Sequence, residues 1–131
     1  MEKEGAFRFA YFTKKFDETC RFYEEELRFD LEHSWDRNEH DKGAFFQAGA
    51  GLKEVLHSPD DENHRHACLD YRSPQGAFMV IQVWDADGLF AELDSIGVPF
   101  EQELVNRSWG HRSFSVMEPN GLILFFFQER F

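Results

Sequence analysis

Residues 109–129, WGHRSFSVMEPNGLILFFFQE, leave the chain few folds to choose from. The stretch divides at Glu118-Pro119-Asn120-Gly121. There Pro119 presets the first central position of a tight turn, Asn120 suits the second and Gly121 tolerates the exit. Ahead of the turn, Arg112, Phe114 and Val116 alternate with Ser113 and Ser115, the period-2 pattern of a strand with two unlike faces. Behind it, residues 122–127 are apolar without a break. That pattern predicts a strand buried on both faces, with protein packed behind it and an enclosed space in front.

The rest of the chain repeats one order of elements. Residues 7–13 alternate and are aromatic-rich, a first strand. From Phe16 the spacing becomes helical, with Phe16, Cys20, Tyr23 and Leu27 on one side and Glu18, Arg21 and residues 24–26 on the wet side. Residues 29–35 read as a strand, 36–43 (DRNEHDKG) as a polar turn and 44–48 as a short strand. Gly49-Ala50-Gly51 then links tightly into a strand over 52–56. A charged, proline-bounded and aperiodic segment follows. After it come a strand over 77–84, an acidic cap at Asp85 and Asp87, and a helix bearing Leu89, Phe90, Leu93 and Ile96 that stops at Gly97. A strand over 98–105 and the final pair complete the second set. Strand, helix, strand, strand, strand occurs twice, which is an internal repeat. The expected division is one domain over 1–131, with module 1 at 1–58, a linker at 59–75 and module 2 at 76–131.

Composition narrows the function. A chain of 131 residues has a one-domain length and buries about two-thirds of its unfolded surface. Sixteen Phe residues predict an unusually aromatic core or cavity. The net charge of -11 leaves no basic stripe to neutralise phosphates, which argues against nucleic acid as a partner and is compatible with a cationic ligand. No apolar run approaches the ~20 residues of a membrane span, and MEKEGAFRF has neither the basic start nor the apolar stretch of a signal peptide. Cys20 and Cys68 lack metal-type spacing. A reduced, cytoplasmic protein with no membrane partner is expected.

Several segments together resemble the vicinal oxygen chelate superfamily of glyoxalase I, bleomycin-resistance proteins and extradiol dioxygenases. These are Phe22-Tyr23, Leu27-Arg28-Phe29 where the family has Leu-Gly-Phe, Leu93-Asp94-Ser95-Ile96-Gly97-Val98, Trp109-Gly110-His111-Arg112-Ser113-Phe114 and Glu118-Pro119-Asn120-Gly121. The resemblance implies an α+β fold of two βαβββ modules forming a curved mixed sheet around an open cleft, the glyoxalase/bleomycin-resistance fold. It also implies a homodimer. In metal-dependent members, ligands project from the first and fourth strands of each module. Carried over singly, those positions are Arg8, Glu54, Phe78 and Phe125. Only Glu54 has ligand chemistry, since a guanidinium and two phenyl rings offer no lone pair. No metal and no other cofactor is therefore expected. Glu54 is expected to pair with Arg8, and breaking a buried pair of that kind would cost roughly 3–5 kcal/mol.

Strand parity gathers Arg8, Ala10, Leu52, Glu54, Leu56, Phe78, Val80, Gln82, Ile123, Phe125 and Phe127 on the concave face. Trp109 is placed as a stacking lid or a loop anchor, and His111 at the mouth of the cleft. His64 and His66 in the linker are expected to be solvated, and His33, His40 and His57 to lie on the surface. No Ser-His-Asp or Cys-His order recommends nucleophilic catalysis, and Cys20 is expected in the core. The ligand-binding set is thus Arg8, Glu54, Phe78, Gln82, Trp109, His111 and Phe125. It predicts a metal-free protein that binds a small aromatic or cationic molecule in a Phe-rich cleft. The alternatives are a metal-dependent glyoxalase-like lyase or isomerase, or a dioxygenase, with a non-standard site, and a solidly packed interaction module.

Overall fold

The computed structural model describes residues 7–58 and 74–130. They fall into two compact units, one within Met1–Arg72 and one within Ser73–Phe131. In the first, β1 (Arg8–Thr13) leads into α1 (Phe16–Arg21), which widens at once into a π-helical turn (Phe22–Glu26). Then come β2 (Leu31–Asn38), β3 (Asp41–Ala48) and β4 (Gly51–His57). The second runs β5 (Phe78–Gln82), α2 (Ala86–Ser95), β6 (Phe100–Asn106), β7 (His111–Met117) and β8 (Ile123–Glu129).

Both units build the same four-stranded mixed sheet, ordered β1-β4-β3-β2 and β5-β8-β7-β6. The repeat extends to the register. In the parallel pair β1–β4, Arg8 lies opposite Leu52 and Ala10 opposite Glu54. In the parallel pair β5–β8, Phe78 lies opposite Ile123 and Val80 opposite Phe125. Arg8 and Phe78, and likewise Glu54 and Phe125, therefore occupy matching places in their own sheets. The fold is α+β, built from two βαβββ units as the repeated order predicts.

In each unit one sheet face is sealed by that unit's helix. Tyr23, brought inward by the π-helical turn, stacks on Phe46 at 5.8 Å between ring centroids. The i→i+5 bond from Leu27 N–H to the Phe22 carbonyl (3.0 Å) sets Phe22 above Leu27, so both are buried beside Tyr23. Thr19 rather than Cys20 is the fully buried residue of α1. Lys53 is also fully buried here. Its amine lies 3.3 Å from the Tyr11 ring centroid and donates to the Glu54 carbonyl at 3.0 Å, so aromatic faces and a carbonyl replace its water. In the second unit Phe114 is the hub, packed against Phe90, Phe100 and Phe126.

Four local expectations are corrected. The polar segment 36–43 is not a turn throughout: β2 continues to Asn38 and β3 begins at Asp41. The Trp35 indole covers its cross-strand partner Gly43, where a Cβ would collide with it, and donates to Asp41 at 2.9 Å. Arg37 binds the other Asp41 oxygen at 3.0 Å. Side-chain bonds thus hold polar residues in a strand pair. The strand after the last turn is buried on one face only, at Leu122, Leu124 and Phe126, while Ile123, Phe125 and Phe127 are half-buried. Ile96 is exposed because α2 stops at Ser95 and the chain turns at Gly97, φ 83°. His57 is not a surface residue throughout. Its Nδ1 is buried with no hydrogen-bond partner among the described residues, and its ring meets Phe16 edge-on. Residues 59–73 of the linker, with His64, His66 and Cys68, lie outside the described residues.

The turn that joins β7 and β8 uses a side chain the sequence pattern did not single out. The buried Glu118 carboxylate accepts from the backbone N–H of Asn120 (2.7 Å) and Leu122 (3.2 Å). It holds the turn from within, and Gly121 takes the required φ of 89°.

Candidate functional site

On the face of the second sheet turned away from α2, alternate residues of β5, β7 and β8 surround a concavity of about 900 Å³. The period-2 geometry of strands puts Phe78 and Val80 there from β5, His111 and Ser115 from β7, and Ile123, Phe125 and Phe127 from β8. The β6–β7 connection adds Arg107 and Trp109, and β6 adds Glu101 and Gln102. Phe78 and Trp109 are 57% and 58% exposed, so large apolar side chains face the concavity without being used up in the core.

The walls are aromatic. His111 stacks on Phe127 with centroids 4.5 Å apart and planes 18° apart, and Trp109 meets His111 edge-on at 6.4 Å. One end is polar. Arg107 Nε donates to Ser113 Oγ at 2.8 Å and Nη2 to Gln102 Oε1 at 3.2 Å. Two residues along β7, on the same strand face, the Ser115 hydroxyl is buried and has no hydrogen-bond partner among the described residues.

Of the residues expected at a site, Phe78, Trp109, His111 and Phe125 line this concavity. Gln82 lies on the same strand, exposed, and is not part of the lining. Arg8 and Glu54 belong to the first unit. There Arg8 Nη1 donates to Glu54 Oε1 at 3.2 Å, and the guanidinium lies 4.2 Å from the Phe45 ring centroid. The Arg8 side chain is 47% exposed, so the pair is not the buried one the sequence suggested. Arg107, Gln102, Glu101 and Ser115 were missed. The alternation of Ser113 and Ser115 marked a polar strand face, but only the sheet's curvature makes that face the floor of a cavity.

The donor set does not fit the divalent metal of the metal-dependent relatives. At the four carried-over positions, two are phenyl rings, one is a guanidinium and the remaining carboxylate is engaged by that guanidinium. Among the described residues no group of three His, Cys, Asp or Glu side chains is arranged to hold an ion. Cys20 is no nucleophile at neutral pH. Burial, with Asp17 and Glu24 adding to it, pushes its thiol up to about 12.

Comparison with known proteins agrees with this architecture. The family model of the Glyoxalase/Bleomycin resistance protein/Dioxygenase superfamily matches residues 5–126. No curated protein matches the chain. Among solved structures, a lactoylglutathione lyase from Agrobacterium tumefaciens is similar at 13% identity, with 98% of this chain and 96% of that chain covered and a TM-score of 0.70. TioX from Micromonospora sp. ML1 is similar at 15% identity, 96% and 99% coverage and a TM-score of 0.69. A glyoxalase/bleomycin resistance protein/dioxygenase from Nocardioides is similar at 14% identity, 99% and 86% coverage and a TM-score of 0.70. Identities this low speak for the fold alone, and the family rests on the match that spans nearly the whole chain. On that match, and on the βαβββ plan of both units, the chain belongs to the glyoxalase/bleomycin resistance protein/dioxygenase superfamily.

Proposed function

We propose that this protein binds a small planar aromatic molecule in the concavity of its second unit, without a metal and without breaking a bond in it. The observation that carries this reading is the stacked His111–Phe127 pair, opening onto the same space as Phe78, Phe125 and Trp109. Aromatic faces at the wall of a half-open pocket gain by offset stacking, about 0.5–1.5 kcal/mol per ring pair beyond area burial. A volume of about 900 Å³ lies in the range of small-molecule sites. A cationic ring is also admissible, since aromatic faces attract cations.

Calorimetric titration with the neutral probe naphthalene-2-carboxamide tests the reading. Phe125→Ala is expected to weaken binding roughly three- to tenfold. Equal affinity in the variant, or no binding to the native protein, overturns it. The second reading, a metal-dependent lyase or isomerase or a dioxygenase, has Glu54 in its favour as the one ligand-type residue at a carried-over position. It requires a metal bound at stoichiometric amounts.

A further inference from the structure

We infer that the polar end of this concavity is an anion anchor, in which Arg107 and Ser115 take a carboxylate, or a planar oxyanion of similar shape, attached to the bound ring. The inference deepens the aromatic-binding reading and rests on it.

The first ground is the company Arg107 keeps. The chain has 25 acidic residues against 14 basic ones, and three of its arginines hold carboxylates, while Arg130 at the chain's end holds Asn106 Oδ1. Arg8 holds Glu54, Arg37 holds Asp41 and Arg112 holds Asp87. Arg107 instead holds two neutral oxygens, Ser113 Oγ and Gln102 Oε1. Among the described residues no carboxylate lies within ion-pair distance of it. A guanidinium has five N–H groups in a planar fork, so most of its donors remain for a ligand. The two neutral bonds fix its orientation before binding, which reduces the ordering cost of recognising a planar anion.

The second ground is independent. Ser115 is among the residues lining the concavity, and its hydroxyl is buried just beneath that surface with no partner among the described residues, so a χ1 rotation is what would bring it to a ligand oxygen. A buried hydroxyl left unbonded is costly, and a ligand oxygen in the concavity relieves that cost. A neutral cavity floor would be better served by alanine.

Two features oppose an anion: the net charge, and the exposed Glu101 carboxylate at the rim. At physiological salt the screening length is about 8 Å, so the distant acidic groups weigh little beside a guanidinium in direct contact. Glu101 lines the same concavity, so its repulsion is the one the guanidinium must outweigh directly.

The test compares three naphthalene probes by calorimetry at physiological salt: naphthalene-2-carboxylate, its neutral carboxamide and 2-naphthylmethylammonium. The carboxylate is expected to bind about tenfold tighter than the carboxamide. Arg107→Gln is expected to erase most of that difference, weakening the carboxylate about tenfold and the carboxamide far less. Ser115→Ala should weaken the carboxylate several-fold while the free protein melts no lower than the native one, and Arg107→Lys, which keeps charge but loses the fork, should fall between. If the carboxamide binds and the carboxylate gains nothing, the anchor falls and the aromatic reading stands. If Arg107→Gln weakens both probes alike, Arg107 only braces the β6–β7 connection and the anchor is refuted. Tightest binding of the ammonium probe also refutes it. No binding of any probe removes both readings.

Discussion

Arg28 sits at φ 56°, in the left-handed region that side chains with a Cβ avoid, just where the chain leaves the π-helical turn. Its neighbours keep the family's pattern, with glycine the usual residue at this point. Arg28→Gly relieves about 1–2 kcal/mol of backbone strain but adds about 0.4–1 kcal/mol of unfolded-state entropy. A net stabilisation of up to about 1.6 kcal/mol is expected from urea unfolding midpoints, and a loss of stability would mean that the arginine side chain outweighs the strain. Arg8 illustrates a different limit. Pairing with Glu54 was legible because strand parity puts both residues on one face of the sheet, but exposure was not. With the guanidinium half in water, Arg8→Ala should cost only about 1–2 kcal/mol, the sum of a surface ion pair and a contact with Phe45. A loss of 3–5 kcal/mol in the same unfolding measurement would show the pair to be effectively buried.

At the scale of elements, α2 is tied down at its first turn. Asp85 caps it by accepting from Gly88 N–H at 3.0 Å, Gln128 accepts from Ala86 N–H at 2.9 Å, and Arg112 of β7 clamps Asp87. The Arg112 guanidinium holds the Asp87 carboxyl below its ordinary value of 3.8. A depressed folded-state value means that this contribution is fully present above the ordinary carboxylate range and is lost as pH falls through the lowered value. Stability measured by urea midpoint should therefore decline on acidification below about pH 4, and Asp87→Asn should flatten that part of the curve. An unchanged acid limb in the variant would show that other carboxylates set it. The cap at Asp85 was readable from residue type alone, because capping is local. The extension of β2 and β3 through 36–43 was not, because it depends on Trp35 covering Gly43 across the hairpin.

Across the whole molecule, two units of one plan carry different chemistry at matching places: Arg8 and Glu54 in the first, Phe78 and Phe125 in the second. Neither set suits a divalent ion, so protein purified without chelator should contain no stoichiometric Zn, Ni, Fe or Mn, and adding these ions should leave Tm unchanged. Stoichiometric metal by elemental analysis, or a clear rise in Tm with one ion, would restore the enzymatic reading. The order of elements, the turn at residues 118–121, the family and the aromatic character of the β8 face followed from sequence. Period, turn chemistry and residue type act over a few neighbours and are written in linear order. The tertiary structure decided how deeply β8 is buried, that the Arg8 guanidinium paired to Glu54 is half in water, and that Arg107 and Ser115 share one cavity with the rings. Those depend on which distant strands curve over the same space, a property of long-range packing that no local pattern encodes.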